Sequence, residues 1–128
     1  MGENKMFITT EERKGTCYLE FQFCKIENPI KANKVDVDNI ENWKDDSLLI
    51  SDEDFDIFYK NYGKIFKCAL FPNGEKGFFP YGINYYDKTT AEEILIQLKK
   101  IISDKYYNLI PWLEKAANNY TGFYILGI

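Results

Sequence analysis

The last six residues of the chain, 123–128, have the composition of a β-strand although they follow segments with helical spacing. A strand needs partners for its backbone N–H and C=O groups, so this one must pair with strands formed earlier in the chain. Strand-like segments also lie near the N-terminus, at residues 5–10 and 16–26. Strands at both ends with helices between them predict an α+β fold, in which the C-terminal strand is inserted into the sheet.

Alternating apolar and polar side chains define the predicted strands. Residues 16–26 follow this alternation, with Glu20 and Gln22 on the polar side, which predicts a half-buried strand paired with residues 5–10 as a hairpin. Residues 78–86 are rich in aromatic side chains and also read as a strand. The sheet is therefore expected to be antiparallel or mixed.

About three helices are predicted from apolar spacing and end signals. Ser51 is a typical N-cap, and Gly63 is a typical C-terminal stop for the first helix. The sequence Thr90-Ala91-Glu92-Glu93 has the form of a capping box and predicts that Thr90 caps the second. Pro111 suits the first position of a third helix.

Length and composition indicate one folded domain, residues 1–128, without catalytic machinery. The chain has 128 residues, including 10 Phe, 10 Tyr and 2 Trp, which is typical of a globular core and not of a disordered chain. It contains no histidine, which excludes Ser-His and Cys-His nucleophile pairs and imidazole zinc sites. No spacing of cysteines or carboxylates matches a metal or phosphate motif. We expect a protein that is not an enzyme and binds no metal or cofactor.

The sequence shows no features of export or membrane insertion. There is no N-terminal apolar segment of a signal peptide and no apolar run of 18 residues. We therefore expect a cytoplasmic protein that does not bind a membrane.

The negative charge is concentrated in one segment. The formal net charge is −4, but residues 35–59 contain nine acidic side chains and one basic one, Lys44. Phosphate backbones require clusters of Lys and Arg, so this segment argues against a nucleic acid partner. A basic protein is its natural electrostatic complement. The acids are Asp36, Asp38, Glu41, Asp45, Asp46, Asp52, Glu53, Asp54 and Asp56.

The C-terminal part of the chain resembles a known class of proteins. Its pattern runs through Gly82-Ile83-Asn84-Tyr85-Tyr86, a capped helix, Trp112-Leu113-Glu114-Lys115-Ala116 and Gly122-Phe123-Tyr124-Ile125-Leu126-Gly127. Over residues 54–128 the chain resembles the small cytosolic immunity proteins that protect bacteria from polymorphic or contact-dependent toxins. The resemblance implies that the chain binds and blocks one cognate toxin domain, often a nuclease. Those families share no common fold or inhibitory residues, so the resemblance assigns no position.

Charge provides the candidate site for such a partner. A nuclease needs a basic cleft for phosphate, which a dense acidic segment could occupy. The predicted charged contacts are Asp45, Asp46, Asp52, Glu53 and Asp56, with Trp43 or Tyr59 as anchors. Residues 31–50 are irregular, and either a short edge strand or a loop pinned by Trp43 fits them. The same acids are also typical of turns, helix caps and ordinary solvated surface.

An alternative function is a small-ligand-binding or regulatory domain with an aromatic pocket. In a strand over residues 78–86, Tyr81 and Tyr85 would share one face, and a cavity behind them could hold a ligand. An enzyme that uses carboxylates alone is the third hypothesis, and it requires two buried acids that converge in one cleft.

Overall fold

The computed structural model of this protein describes residues 6–25, 40–71 and 73–127. Within these ranges the chain forms three α-helices and one antiparallel sheet of seven strands. The strands are β1 (Ile8–Thr9), β2 (Tyr18–Phe23), β3 (Leu48–Ser51), β4 (Ala69–Leu70), β5 (Lys76–Gly77), β6 (Ile83–Asp87) and β7 (Gly122–Leu126), and the helices are α1 (Asp52–Phe66), α2 (Lys88–Ile101) and α3 (Leu109–Asn119).

The C-terminal strand lies inside the sheet, as the sequence predicted. The strand order is β1-β3-β2-β7-β6-β4-β5, so β7 is paired along both of its edges. Its residue Ile125 is opposite Phe21 of β2 on one side and opposite Asn84 of β6 on the other. The predicted α+β class with an inserted C-terminal strand is therefore confirmed.

The predicted hairpin between the first two strands is wrong. Both β1 and β2 pair with β3, which lies between them. The strand β3 is only four residues long and its first three residues are buried, so its sequence does not alternate. Of the irregular segment, residues 31–39 lie outside the described ranges, 40–47 form a loop and 48–50 belong to β3. The rest of the predicted N-terminal strand pattern is retained in β1 and β2.

The helices pack on one face of the sheet around a core dominated by aromatic rings. Phe58 of α1 packs edge-on against Phe7, with ring centroids 5.4 Å apart, and Trp112 of α3 stacks on Phe23 of β2 at 4.2 Å. This core also buries Phe21, Phe66, Tyr86, Ala91, Ile94, Leu98, Leu113, Phe123 and Ile125. Each aromatic ring in this core removes a large apolar area from water, which stabilises the fold.

The predicted helix boundaries differ from the observed ones at three places, the first of which is Pro111: α3 begins at Leu109, so Pro111 is its third residue and not its first. Ser51 does cap α1, since its Oγ accepts the N–H of Asp54 at 3.2 Å, but the helix continues past Gly63 to Phe66. Gly63 is buried against Tyr59, where a Cβ would lie 2.9 Å from the ring, so its role is close packing. The cap of α2 is Asp87, which accepts the N–H of Thr90 at 2.8 Å, because β6 runs directly into the helix.

The aromatic segment 78–86 is a strand only from Ile83 onward. Pro80 lacks the N–H that a strand donates to its neighbour, so residues 78–82 leave the sheet and form a turn. Two of the aromatic side chains of this turn, Phe79 and Tyr81, are 52% and 74% exposed.

Candidate functional site

The acidic side chains within residues 40–59 fall into two groups separated by β3. Glu41, Asp45 and Asp46 belong to residues 40–47, which we call the acidic loop, whereas the others lie at the start of α1. Four residues of extended strand lie between the two groups, a length of about 13 Å. Two further acids of the acidic segment, Asp36 and Asp38, lie outside the described residues.

The acidic loop is held against the sheet by a buried carboxylate. Glu20 of β2 was expected on the solvent side of its strand, but it is 1% exposed, and Gln22 is also buried. Glu20 accepts hydrogen bonds from the backbone N–H groups of Trp43 and Lys44 at 2.7 and 2.9 Å, and from Ser47 Oγ at 2.6 Å. The expectation fails because alternation shows which side chains share a face, not what covers that face.

The negative charge of this loop is partly neutralised. Lys25 Nζ lies 2.7 Å from the carboxylate of Asp46, and the resulting hydrogen bond raises the pKa of Lys25. Glu41 lies 3.5 Å from the ammonium of Lys44. Within the described part of the chain, Asp45 is the loop carboxylate without an ion pair, so the three acids of the loop, with Lys44 and Lys25, leave one net negative charge.

The two aromatic residues predicted as anchors are engaged within the chain. Trp43 has a left-handed backbone, φ 67°, and the guanidinium of Arg13 lies 4.3 Å from the centre of its ring. Tyr59 is half-buried between Phe55 and Phe78, with ring centroids 5.6 and 5.3 Å away. Burial raises the pKa of the Tyr59 hydroxyl.

The acids at the start of α1 border a cleft. Asp52 and Asp56 are four residues apart, so they lie on the same side of the helix. Both line a cleft of about 250 Å³, whose other lining residues are Leu19, Phe55, Pro80 and Tyr81. Asp52, Glu53 and Asp56 are exposed. Three of the predicted charged contacts, Asp52, Glu53 and Asp56, are therefore close in sequence and accessible, and two of them share one concave site.

The cleft is also lined by residues of a turn that the sequence did not reveal. We call residues 79–81 the aromatic turn. Tyr81 lines the cleft, and the rings of Phe79 and Tyr81 meet edge-on with centroids 6.2 Å apart. The signal available in the sequence was Pro80 between two aromatic residues, which argues against a continuous strand.

Tyr81 and Tyr85, which the alternative function places on one face, have different surroundings. Tyr85 is buried on the face of the sheet away from the helices, beside Cys24, Tyr124 and Leu126, and its hydroxyl donates to the carbonyl of Thr121 at 3.2 Å. Tyr81 also borders a second cleft of about 130 Å³. Both cleft volumes are below the roughly 300–1,000 Å³ typical of small-molecule sites.

The described residues offer a surface suited to recognition of a cation. Within residues 6–25, 40–71 and 73–127, no three Cys, Asp or Glu side chains are arranged to hold a metal ion. Over the same ranges, each helix is too short or too polar to cross a lipid bilayer. Exposed carboxylates beside an exposed aromatic ring can bind a positively charged side chain by charge and by cation–π contact.

Comparisons with known proteins do not assign this chain to a family. No protein family, curated protein sequence or solved structure matches it.

Proposed function

We propose that this protein is an immunity-type inhibitor, which binds the basic domain of a bacterial toxin in the cytoplasm and blocks it. A nuclease is the expected toxin, because its phosphate-binding cleft must be basic. The observation that carries the proposal is the exposed acidic group Asp52, Glu53 and Asp56, which has no ion pair among the described residues and lies beside an exposed aromatic turn.

The distribution of charge along α1 supports this proposal. Acids occupy the first turn of α1, whereas Lys60 and Lys64 occupy its second half. The negative potential is therefore confined to one end of the helix, where it also complements the helix dipole. A localised field of this kind steers a basic partner into one orientation and accelerates association, more so at low salt.

We assign this role to a smaller set of residues than the sequence suggested. Asp52, Glu53 and Asp56 supply most of the free charge, and Asp45 is a secondary contact at the other end of β3. Asp46 is paired with Lys25. We propose that Tyr81 takes the anchor role first considered for Trp43 and Tyr59, since their rings already contact Arg13 and Phe78.

The proposal is tested with the product of the gene adjacent to this chain's own. An inhibitor and its toxin must be made together, so we expect that product to arrest growth of a host and the present chain to restore it. The triple variant Asp52→Asn, Glu53→Gln, Asp56→Asn should protect poorly and should associate about 10- to 100-fold more slowly at low salt. Its association rate should also depend less on salt concentration.

A matched control separates local from total charge. The triple variant Glu75→Gln, Glu92→Gln, Glu93→Gln removes three exposed acids elsewhere. Its formal net charge therefore equals that of the first triple variant. It should associate like the wild type. If the adjacent gene product is harmless or does not bind the chain, the proposed function is wrong. If both triple variants behave alike, the assignment of the surface is wrong.

A further inference from the structure

The side chain of Asn84 holds the backbone of the aromatic turn in place. The backbone N–H of Phe79 donates to Oδ1 of Asn84 at 2.7 Å, and Nδ2 of Asn84 donates back to the carbonyl of Phe79 at 2.9 Å. Asn84 is itself buried and also donates to the carbonyl of Ile125 in β7, at 3.1 Å. One buried amide therefore ties the turn to the central strand of the sheet.

The C-terminal end of the chain adds a second support. The N–H of Gly127 donates to the carbonyl of Gly82 at 2.7 Å. Gly127 packs so closely under the turn that a Cβ there would lie 2.1 Å from the carbonyl oxygen of Pro80. The turn consequently presents Tyr81 on a fixed backbone, and a tyrosine side chain, with two rotatable bonds, loses little conformational freedom when a partner covers it.

The chemistry of the cleft indicates what covers it. It is lined by the apolar residues Leu19 and Phe55, by Tyr81, and by two acidic residues, Asp52 and Asp56. Apolar side chains suit a methylene stem, an aromatic ring suits a flat cation, and two carboxylates suit a group with several N–H donors.

We propose that this cleft receives one arginine side chain of the partner protein. The guanidinium pairs with Asp52 and Asp56 and stacks on Tyr81, while its methylene groups lie on Leu19 and Phe55. Arginine fits better than lysine because its planar fork binds carboxylates through several donors and stacks on aromatic rings. The identity of the partner as a basic protein rests on the proposed function, whereas the arginine site can be tested without the partner.

The test uses N-acetyl-arginine amide as the probe, titrated into the ¹⁵N-labelled full chain and followed by NMR. For a ligand of this size we expect a dissociation constant in the millimolar range. Backbone amide shifts should change in residues 52–56, in Phe79 and in residues 81–83. N-acetyl-citrulline amide has the same shape without the charge, and it should cause much smaller shifts there.

Two variants locate the site. Tyr81→Ala removes an exposed ring without changing the net charge, and it should weaken binding of the probe at least 5-fold. Tyr107→Ala removes another exposed tyrosine outside the cleft and should bind like the wild type. Equal shifts from the arginine and citrulline probes, or equal binding by both variants, would overturn the proposal.

The arginine site and the proposed function can be tested separately. With the adjacent gene product as partner, Tyr81→Ala should leave the association rate unchanged and raise the dissociation rate about 30-fold, as expected for a central anchor. A wild-type dissociation rate for Tyr81→Ala, with slow association for the acidic triple variant, would leave the inhibitor function standing and refute the arginine site.

Discussion

Replacement of Glu20 by glutamine tests how the acidic loop is held in place. The two carboxylate oxygens of Glu20 accept four hydrogen bonds, from the N–H groups of Trp43 and Lys44, from Ser47 Oγ and from Gln22 Nε2. Glutamine has almost the same shape but only one oxygen. In its better orientation the amide nitrogen replaces Oε1, and the N–H of Trp43 then points at another donor.

The expected cost follows from those contacts. One buried N–H without an acceptor costs about 1–3 kcal/mol, and the remaining bonds lose the strengthening that a charged acceptor gives. We therefore expect Glu20→Gln to lower the free energy of unfolding by about 3 kcal/mol, and the melting temperature by roughly 10 °C for a chain of this length. The left-handed backbone of Trp43, φ 67°, adds strain that the loop releases once it is no longer held.

Urea unfolding followed by circular dichroism gives the change in stability. Tryptophan fluorescence reports the loop directly, because the chain has two tryptophans, and both contact it: Trp43 lies in the loop and Trp112 Nε1 donates to the carbonyl of Asp46 at 2.8 Å. Glu92→Gln makes the same chemical change at an exposed position of α2 and should alter stability by less than about 0.5 kcal/mol. If Glu20→Gln costs no more than this control, the buried carboxylate does not hold the loop.

Two further predictions concern stability. Gly122→Ala should destabilise the fold by more than about 4 kcal/mol in urea unfolding, because its φ is 112° and a Cβ would lie 2.0 Å from the carbonyl oxygen of Tyr86. Gly74→Ala, with a similar φ of 88° and no neighbour within 4 Å, should cost only about 1–2 kcal/mol, and equal costs would show that the collision is relieved. Burial raises the pKa of Tyr85 and Tyr124, so the unfolded chain loses these protons near pH 10 while the folded chain keeps them. The free energy of unfolding should therefore keep its full value below about pH 10 and fall above it. Urea unfolding from pH 8 to 11 measures this dependence, which should be less steep in Tyr124→Phe. An identical pH dependence in that variant would show that Tyr124 does not contribute to it.

Features that depend on residues close together in the sequence, such as a helix cap or an apolar helix face, were predicted correctly. The side chain of Ser51 caps α1, and the apolar stripe that contains Ile94 and Leu98 of α2 is buried. The C-terminal strand could also be predicted, since a strand after two helices has to pair with strands formed earlier. These features depend on local spacing, which sequence shows directly.

Errors arose where two local signals competed. Asp87 and Thr90 are both good N-cap residues three positions apart, and the structure selects Asp87 because β6 leads straight into α2. Gly63 has the freedom to end a helix, but the Tyr59 ring packed against it keeps it within α1. The choice depends on neighbours in space, which spacing along the chain does not specify.

The amino-acid sequence by itself determined the fold class, the segments that become helices, and the concentration of acids in residues 35–59. Only the tertiary structure decided that Glu20 faces a loop and not water, and that Asp52 and Asp56 share a cleft with Tyr81. Periodicity reports the face on which a side chain lies, but the surface that covers this face comes from distant parts of the chain. The candidate site joins the start of α1 to a turn more than twenty residues later, so it exists only once the sheet has brought them together.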